Sequence, residues 1–282
     1  MSIDNDQTPP ARIPLDPAAL DASLLRPGGL WREITVAEST GSTNADLAAR
    51  AAQGAPEGTV LAAEEQRAGR GRMGRQWVSP ARSAVMVSVL LRPAAISPAR
   101  RGWLPLLAGV AAATAVRQVT GVPAVLKWPN DLLVDERKLA GILAEQSGDA
   151  VVVGLGLNVS ATEAELPDTG PGTPDATSLR LEGVTGLDRT VLLAALLTEF
   201  ERRYRAWSQT VPPGDPAASG LRAAYLELCT TVGREVRVER AGGQSATARA
   251  TGIDSDGRLI IEGAAGTVGS EAVSAGDVRH LR

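Results

Sequence analysis

Two hydrophobic periods alternate along this chain, and the switches between them outline a mixed architecture. Residues 84–91 alternate with period two and put Val85, Val87 and Val89 on one face, which predicts a strand. Residues 31–37 and 59–65 read the same way, while 150–158 is almost entirely Val, Leu and Gly, as a central strand buried on both faces would be. Helical spacing takes over in four places. Residues 39–54 give a polar run and then a helix, with Thr43 and Asp46 spaced as a capping box, Leu47, Ala48 and Ala51 on one face, and Gly54 as the stop. Residues 101–119 carry no charge from Leu104 to Val116, which implies deep burial; 188–207 is amphipathic, and 220–230 is a further helix.

Between these elements the chain turns sharply. A short strand at 124–128 is broken by Pro129, Asn130 and Asp131 occupy a turn before 132–134, and a tight turn at 135–137 folds the chain back into a strand at 138–146. That hairpin brings Lys127, Asn130, Asp131 and Lys138 together. Residues 160–178 shift to Pro, Gly, Thr and Asp and read as a long, mobile surface loop. From Gly233 the character changes to short strands (234–239, 246–253, 258–262, 266–270, 278–281) separated by glycine turns, a small β-barrel. Residues 1–30, interrupted by five prolines, read as a flexible tail with at most a short helix at 18–24. The expected division is a tail (1–30), a main domain (31–230) and a small C-terminal domain (231–282), in an α+β fold.

Composition changes this picture by exclusion. The formal charge of -3 makes any basic cluster a local patch, the opposite of what non-specific nucleic-acid binders show. No apolar run is long enough to span a bilayer and the N-terminus lacks a signal-peptide layout, so a cytoplasmic, soluble protein is expected. A single cysteine, Cys229, forbids an internal disulfide and reads as a buried small hydrophobe. The single histidine, His280, lies close to the C-terminus, which argues against imidazole catalysis. Of 29 basic residues only Lys127 and Lys138 are lysines. Two compact, mobile charges kept among so many guanidinium groups suggest a need for an ammonium there.

The densest chemistry lies at 66–77, Gln-Arg-Ala-Gly-Arg-Gly-Arg-Met-Gly-Arg-Gln-Trp. Glycines let the backbone approach a ligand, and guanidinium groups grip phosphate or carboxylate oxygens in pairs, so the loop suits an anion. Gly69, Gly71 and Gly74 match a dinucleotide-binding spacing, but Trp77, Val78, Ser79 and Pro80 make a poor helix start, and no acidic residue lies between Glu65 and Asp131 to meet a ribose. A P-loop is excluded, because no Gly-Lys-Ser or Gly-Lys-Thr run exists.

Gly-Arg-Gly-Arg-Met-Gly-Arg-Gln-Trp at 69–77, Lys-Trp-Pro-Asn-Asp-Leu at 127–132, Lys-Leu-Ala-Gly-Ile-Leu at 138–143 and Gly-Leu-Gly-Leu-Asn-Val at 154–159 resemble, in order, the signature set of biotin protein ligases. Ser-Thr-Asn at 42–44 and Gly-Asp-Val-Arg at 276–279 agree with it. The resemblance implies a mixed sheet with helices on one side, as in class II synthetases, followed by an SH3-like barrel. It also implies two reactions: biotin and MgATP give biotinyl-5'-AMP and diphosphate, and biotin then passes to a lysine of a biotin carboxyl carrier domain of an acyl-CoA carboxylase. No tightly bound metal or redox cofactor is implied; magnesium arrives with ATP, and Asp131 is its candidate protein ligand.

By the same resemblance, Ser42, Thr43, Asn44 and Gln66 face the ureido head of biotin, with Gly141 beside it, and Arg70, Gly71 and Arg72 lie across biotin and adenylate. Lys138 faces the carboxylate and α-phosphate, with Arg70 and Arg72 as its catalytic partners. Trp77, Asn130, Asp131 and Asn158 join Arg70 and Arg72 at the nucleotide. Core packing is the competing reading for Trp77 and the favoured one for Trp128. Met73 departs from the pattern, where family members often carry another basic residue, and this puts a phosphate contact there in doubt. Only about 40 residues precede the Ser-Thr-Asn site, too few for a helix-turn-helix module, so no DNA binding is expected. A monomer or weak homodimer is expected. The alternatives are a lipoate ligase of the same fold and an RNA-binding protein using the arginine loop with Trp77 for stacking.

Overall fold

The computed structural model describes residues 12–167, 174–239, 245–263, 269–274 and 277–281. The chain runs through α1 (Pro17–Leu24), β1 (Glu33–Ala37), α2 (Thr43–Ala52) and β2 (Thr59–Ala63). The arginine loop forms a short ribbon, β3 (Gly69–Arg70) with β4 (Gln76–Trp77), joined through a single 3-10 turn at Arg72–Gly74. Then come β5 (Ala84–Leu91), α3 (Trp103–Thr120), β6 (Val125–Lys127), β7 (Asp131–Val134), β8 (Arg137–Ser147), β9 (Ala150–Asn158), α4 (Arg189–Ser208) and α5 (Leu221–Leu228). Seven of the strands pair in the order β1-β2-β5-β9-β8-β7-β6, a mixed sheet in which only β1 and β2 are parallel.

The two faces of that sheet are covered unequally. On one, Val85, Val87, Val89 and Leu91 of β5 and Val151, Val153, Leu155 and Leu157 of β9 join the core with α3, α4 and α5. Twelve residues of α3 are buried, as its uncharged run predicts, and Gly121 ends it in a left-handed cap. On the other face α2 is the one helix that packs among the described residues, with Leu47 and Ala51 against Leu61, Leu90, Ala150 and Val152 at one end of the strands. The larger helices therefore share one side, as expected, while α2 leaves most of the opposite face uncovered. The expected capping box of α2 is not formed: Ser42 holds the N-cap position, the Thr43 hydroxyl turns to Gln66, and Asp46 accepts from Thr40.

Residues 12–30 are not a tail, and this corrects the expected division; residues 1–11 lie outside the described residues. Leu15, Leu20, Leu24 and Leu30 are core residues, with α1 packed on α4. Two buried carboxylates from distant elements hold the segment. Glu64 accepts the Leu15 N–H at 2.5 Å and pairs with Arg189 at 2.7 Å, while Arg189 also donates to the carbonyls of Ile13 and Ala84. Glu201 accepts the Leu30 N–H at 2.8 Å and pairs with Arg26 and Arg205. The loop at 160–178 also departs from expectation in its described part. Thr177 and Ser178 are fully buried, and residues 175–177 bond along the start of β8 through Lys138 N–H to Asp175 O and Thr177 N–H to Lys138 O. Residues 168–173 lie outside the described residues.

The C-terminal unit is a five-stranded antiparallel sheet, β10 (Glu235–Glu239), β11 (Ser245–Ile253), β12 (Leu259–Glu262), β13 (Ser270–Val273) and β14 (Asp277–His280), ordered β13-β12-β11-β10-β14. Gly276, the first residue of the closing motif, and 266–268 of an expected strand lie outside the described residues. Two core tryptophans tie this unit to the first: Trp103 Nε1 donates to Ser255 O and Trp128 Nε1 to Gly257 O, each at 3.0 Å. Trp128 is thus the packing residue expected. Thr231 Oγ1 accepts the Trp128 N–H at 3.0 Å and meets His280 Nε2 at 3.0 Å, while Arg234 donates to His280 Nδ1 at 3.4 Å. The Glu136 carboxylate faces the same Nδ1 at 3.6 Å, but burial, then the charges of Lys127 and Arg234, outweigh it and hold the His280 pKa below its ordinary value of 6.5. Among the described residues no helix is long and apolar enough to cross a membrane.

Two outcomes follow. Glu64→Gln strands the Arg189 charge in the core and should lower unfolding free energy by about 3–5 kcal/mol, read by urea denaturation. Because the folded His280 binds a proton less readily than the unfolded one, its contribution is present above pH 6.5 and is lost as pH falls toward the folded pKa. The melting temperature should therefore drop between pH 7 and pH 5.5, and His280→Asn should flatten that slope.

Candidate functional site

The uncovered face of the sheet becomes a cleft because its central strands lose their side chains there. Alternation along β9 sends Val153, Leu155 and Leu157 to the core and Gly154 and Gly156 to the other side, with Gly141 of β8 paired to Gly156. A methyl group at Gly156 would lie 2.4 Å from Trp77 Cε2, and one at Gly154 would lie 2.1 Å from Asn44 Oδ1. These glycines form a bare floor on which other residues rest. The N-terminus of α2 makes one wall, the arginine loop the roof, and the turn from Lys127 to Asp131 the far wall. The cavity so enclosed has a volume of about 300 Å³.

Every residue that the sequence nominated lines this cavity: Ser42, Thr43, Asn44, Gln66, Arg70, Gly71, Arg72, Trp77, Asn130, Asp131, Lys138, Gly141 and Asn158. At the α2 end, Ser42, Thr43 and Asn44 are buried, and Gln66 Oε1 accepts the Thr43 N–H at 2.8 Å. At the other end, Lys138 Nζ is 2.6 Å from Asp131 Oδ1, an ion pair built by the β7–β8 hairpin. Asn130 is fixed through Nδ2 to Ile142 O at 3.0 Å and accepts from Arg72 at 3.2 Å, which draws the loop down onto the turn. Asn158 spends its amide on Thr177 O at 2.9 Å. The Trp77 indole lies on Gly156 and Gly141, close to Lys138, and its Nε1–H is buried without a hydrogen-bond partner. Met73 is largely exposed, with left-handed backbone at φ 56°.

Among the described residues, five cations, Arg70, Arg72, Arg75, Lys127 and Lys138, line the cavity against one carboxylate, Asp131. In a chain of charge -3 this concentrates positive potential on one spot, suited to an anion whose charge moves during reaction. Among the described residues no group of three or more His, Cys, Asp or Glu could hold a metal ion.

Sequence reasoning missed Ser88 and Glu145. Ser88 Oγ lies 2.6 Å from Asn44 Oδ1 and 2.7 Å from Thr43 Oγ1, and Glu145 accepts from Asn44 Nδ2 at 2.8 Å. The signal for Ser88 was available: it is the one polar residue in an otherwise apolar strand, and full burial there requires partners. Glu145 lies four positions beyond Gly141, on the same side of β8 by alternation, but outside any motif.

The glycine floor is testable directly. Gly156→Ala should displace the Trp77 indole, leave the melting temperature within a few degrees of wild type, and weaken binding of any ligand that stacks on that ring by roughly tenfold or more, read by calorimetry.

Comparison with known proteins agrees with this geometry. Residues 36–158 match the model of the Biotin/lipoate A/B protein ligase family, and 231–281 that of the Biotin protein ligase C terminal domain. The biotin–acetyl-CoA-carboxylase ligase of Mycobacterium tuberculosis is 44% identical over 275 residues, covering 96% of this chain and 97% of that protein. The bifunctional ligase/repressor BirA of Escherichia coli is 33% identical over 214 residues, covering 73% of this chain and 62% of that one. Among solved structures, the biotin protein ligase from Aquifex aeolicus in complex with biotin and ATP superposes with a TM-score of 0.72 at 25% identity, covering 89% of this chain and 100% of that one. With the cleft, the two-unit fold and these relatives in agreement, the chain belongs to the biotin protein ligase family.

Proposed function

We propose that this protein activates biotin with MgATP to biotinyl-5'-AMP and then transfers biotin to a lysine of the biotin carboxyl carrier domain of an acyl-CoA carboxylase. The observation that carries the reading is a single cleft with a buried polar wall at one end, five cations over the middle and far end, and no histidine among its lining residues. That inventory suits acid activation. A carboxylate is ionised at neutral pH, so its oxygen can attack the α-phosphorus, with diphosphate leaving, without a general base or a protein nucleophile. What remains is to hold the reactants in line and to meet the charge that gathers on the phosphate oxygens.

In this reading the ureido head lies against Ser42, Thr43, Asn44 and Gln66, over the glycine floor, and the carboxylate points toward Lys138. Lys138 exchanges its Asp131 contact for the carboxylate and α-phosphate, and its flexible stem lets one ammonium follow the charge from nucleophile to product. Arg70 and Arg72 cover the adenylate, and Trp77 offers a ring face to adenine and its buried indole N–H to an acceptor. Asn130 and Asn158 border the nucleotide, and Asp131, once released by Lys138, is available to the magnesium ion that accompanies ATP. In the second step the acceptor amine attacks the acyl carbon, the C–O bond to AMP breaks, an amide forms and one proton is released. The same cations hold AMP as it leaves.

Lys138→Ala should reduce biotin-dependent exchange of diphosphate into ATP by roughly 10²–10³-fold with an unchanged melting temperature; exchange at the wild-type rate would remove Lys138 from its role. Wild-type exchange should be supported by biotin and not by lipoate, and the reverse preference would assign the cleft to lipoate activation.

A further inference from the structure

Glu145 has no place in the reading above, yet it closes the polar network behind the biotin wall. It lies on the cleft side of β8, two residues beyond Leu143. Its Oε2 accepts one Asn44 Nδ2 hydrogen at 2.8 Å, and Leu143 O accepts from the same nitrogen at 3.2 Å. A carboxamide has two N–H groups, so both are used, and Asn44 has nothing left to donate. A carboxylate accepts only, which fixes the choice of end: nitrogen toward Glu145, oxygen toward Ser88 and Gly154.

The assignment then propagates by counting protons. Ser88 is fully buried and has a single hydroxyl proton, and the 2.6 Å contact with Asn44 Oδ1 takes it, because an amide oxygen cannot donate. The Thr43 hydroxyl proton is spent inside the network as well, shared between Ser88 Oγ at 2.7 Å and Gln66 Oε1 at 3.1 Å. Thr43 Oγ1 and Asn44 Oδ1 are left with lone pairs and no protons. Gln66 is the counterpart: its Oε1 accepts the Thr43 N–H and faces the Thr43 hydroxyl, which leaves its Nε2 as a donor. The wall thus shows hydrogen-bond acceptors from α2 and a donor from Gln66, a match for a cyclic urea with its N–H groups and carbonyl.

We propose that Glu145 is a positioning residue that sets this polarity, holding the Asn44 carboxamide with its oxygen toward the ligand and so selecting a head group that donates N–H. The inference rests on the reading of the cleft as a biotin site. The competing role for Glu145 is as counter-charge to Arg70, but that pair is 3.8 Å apart with both side chains at least one-third exposed, a geometry that contributes little.

Glu145→Gln keeps an acceptor in place and removes the charge, whereas Glu145→Ala removes both. Biotin affinity by calorimetry should stay within about threefold of wild type in Glu145→Gln and fall roughly tenfold or more in Glu145→Ala. In exchange assays the KM for biotin should rise in Glu145→Ala while kcat and the KM for ATP hold, a split that general loosening of the site would not produce. A ligand-free measurement separates this from the functional reading. The side-chain amide of Asn44, identified in NMR spectra by its loss in Asn44→Asp, should exchange with solvent slowly in wild type and Glu145→Gln and rapidly in Glu145→Ala. Wild-type protein that bound no biotin would overturn the reading of the cleft, and slow exchange dependent on residue 145 would still support the positioning role. Equal losses in both Glu145 variants, or no loss in Glu145→Ala, would overturn it.

Discussion

A strand at the centre of a sheet has two faces, and here they are given opposite tasks. On β9 Val153, Leu155 and Leu157 of one face pack into the core under α3, and on the other Gly154 and Gly156 leave the strand bare so that Asn44 and Trp77 can lie directly on the backbone. Each inward apolar side chain contributes about 1.5–3 kcal/mol of burial, and this allows the cleft stretch of the opposite face to contribute almost none. Rigidity from one side is what permits an open cleft on the other. The other parts of the site, the α2 wall, the arginine roof and the Lys138 hairpin, are positioned relative to that bare floor.

The strands and helices that build this arrangement were legible because their periods are unambiguous: residues 84–91 and 150–158 coincide with β5 and β9, and the uncharged run after Leu104 is a buried helix. The site residues were legible because chemistry concentrates them. Four arginines and two isolated lysines stand out in any reading, and the hairpin geometry that joins Lys138 to Asp131 follows from a short turn. What could not be read was anything set by partners far apart in the chain. The segment 12–30 looks like a linker until Glu64 and Glu201 are seen holding its backbone, and nothing near Leu15 or Leu30 announces those carboxylates. Residues 174–178 look like loop for the same reason, since their bonding to β8 is invisible locally.

Polarity is subtler still. The sequence offers Ser-Thr-Asn as hydroxyls and an amide, each able to donate or accept. Only the surroundings decide which they do, through Ser88 and Glu145 from two other strands. A residue type states a capacity; the network around it states a direction.

One junction bears on how such a protein can be inherited. Val278 of the C-terminal sheet lines the same cavity as Lys138, Thr231 supplies the acceptor for the backbone of Trp128, and Gly102 lies so close to Asp256 that a methyl group there would be 2.4 Å from its carbonyl oxygen. The small sheet is therefore part of the pocket's wall as well as an appendage to it. Shuffling that exchanged one unit for a foreign counterpart would have to rebuild all three contacts at once, so the pair is expected to descend as a single heritable block, with new modules joined only at its outer ends.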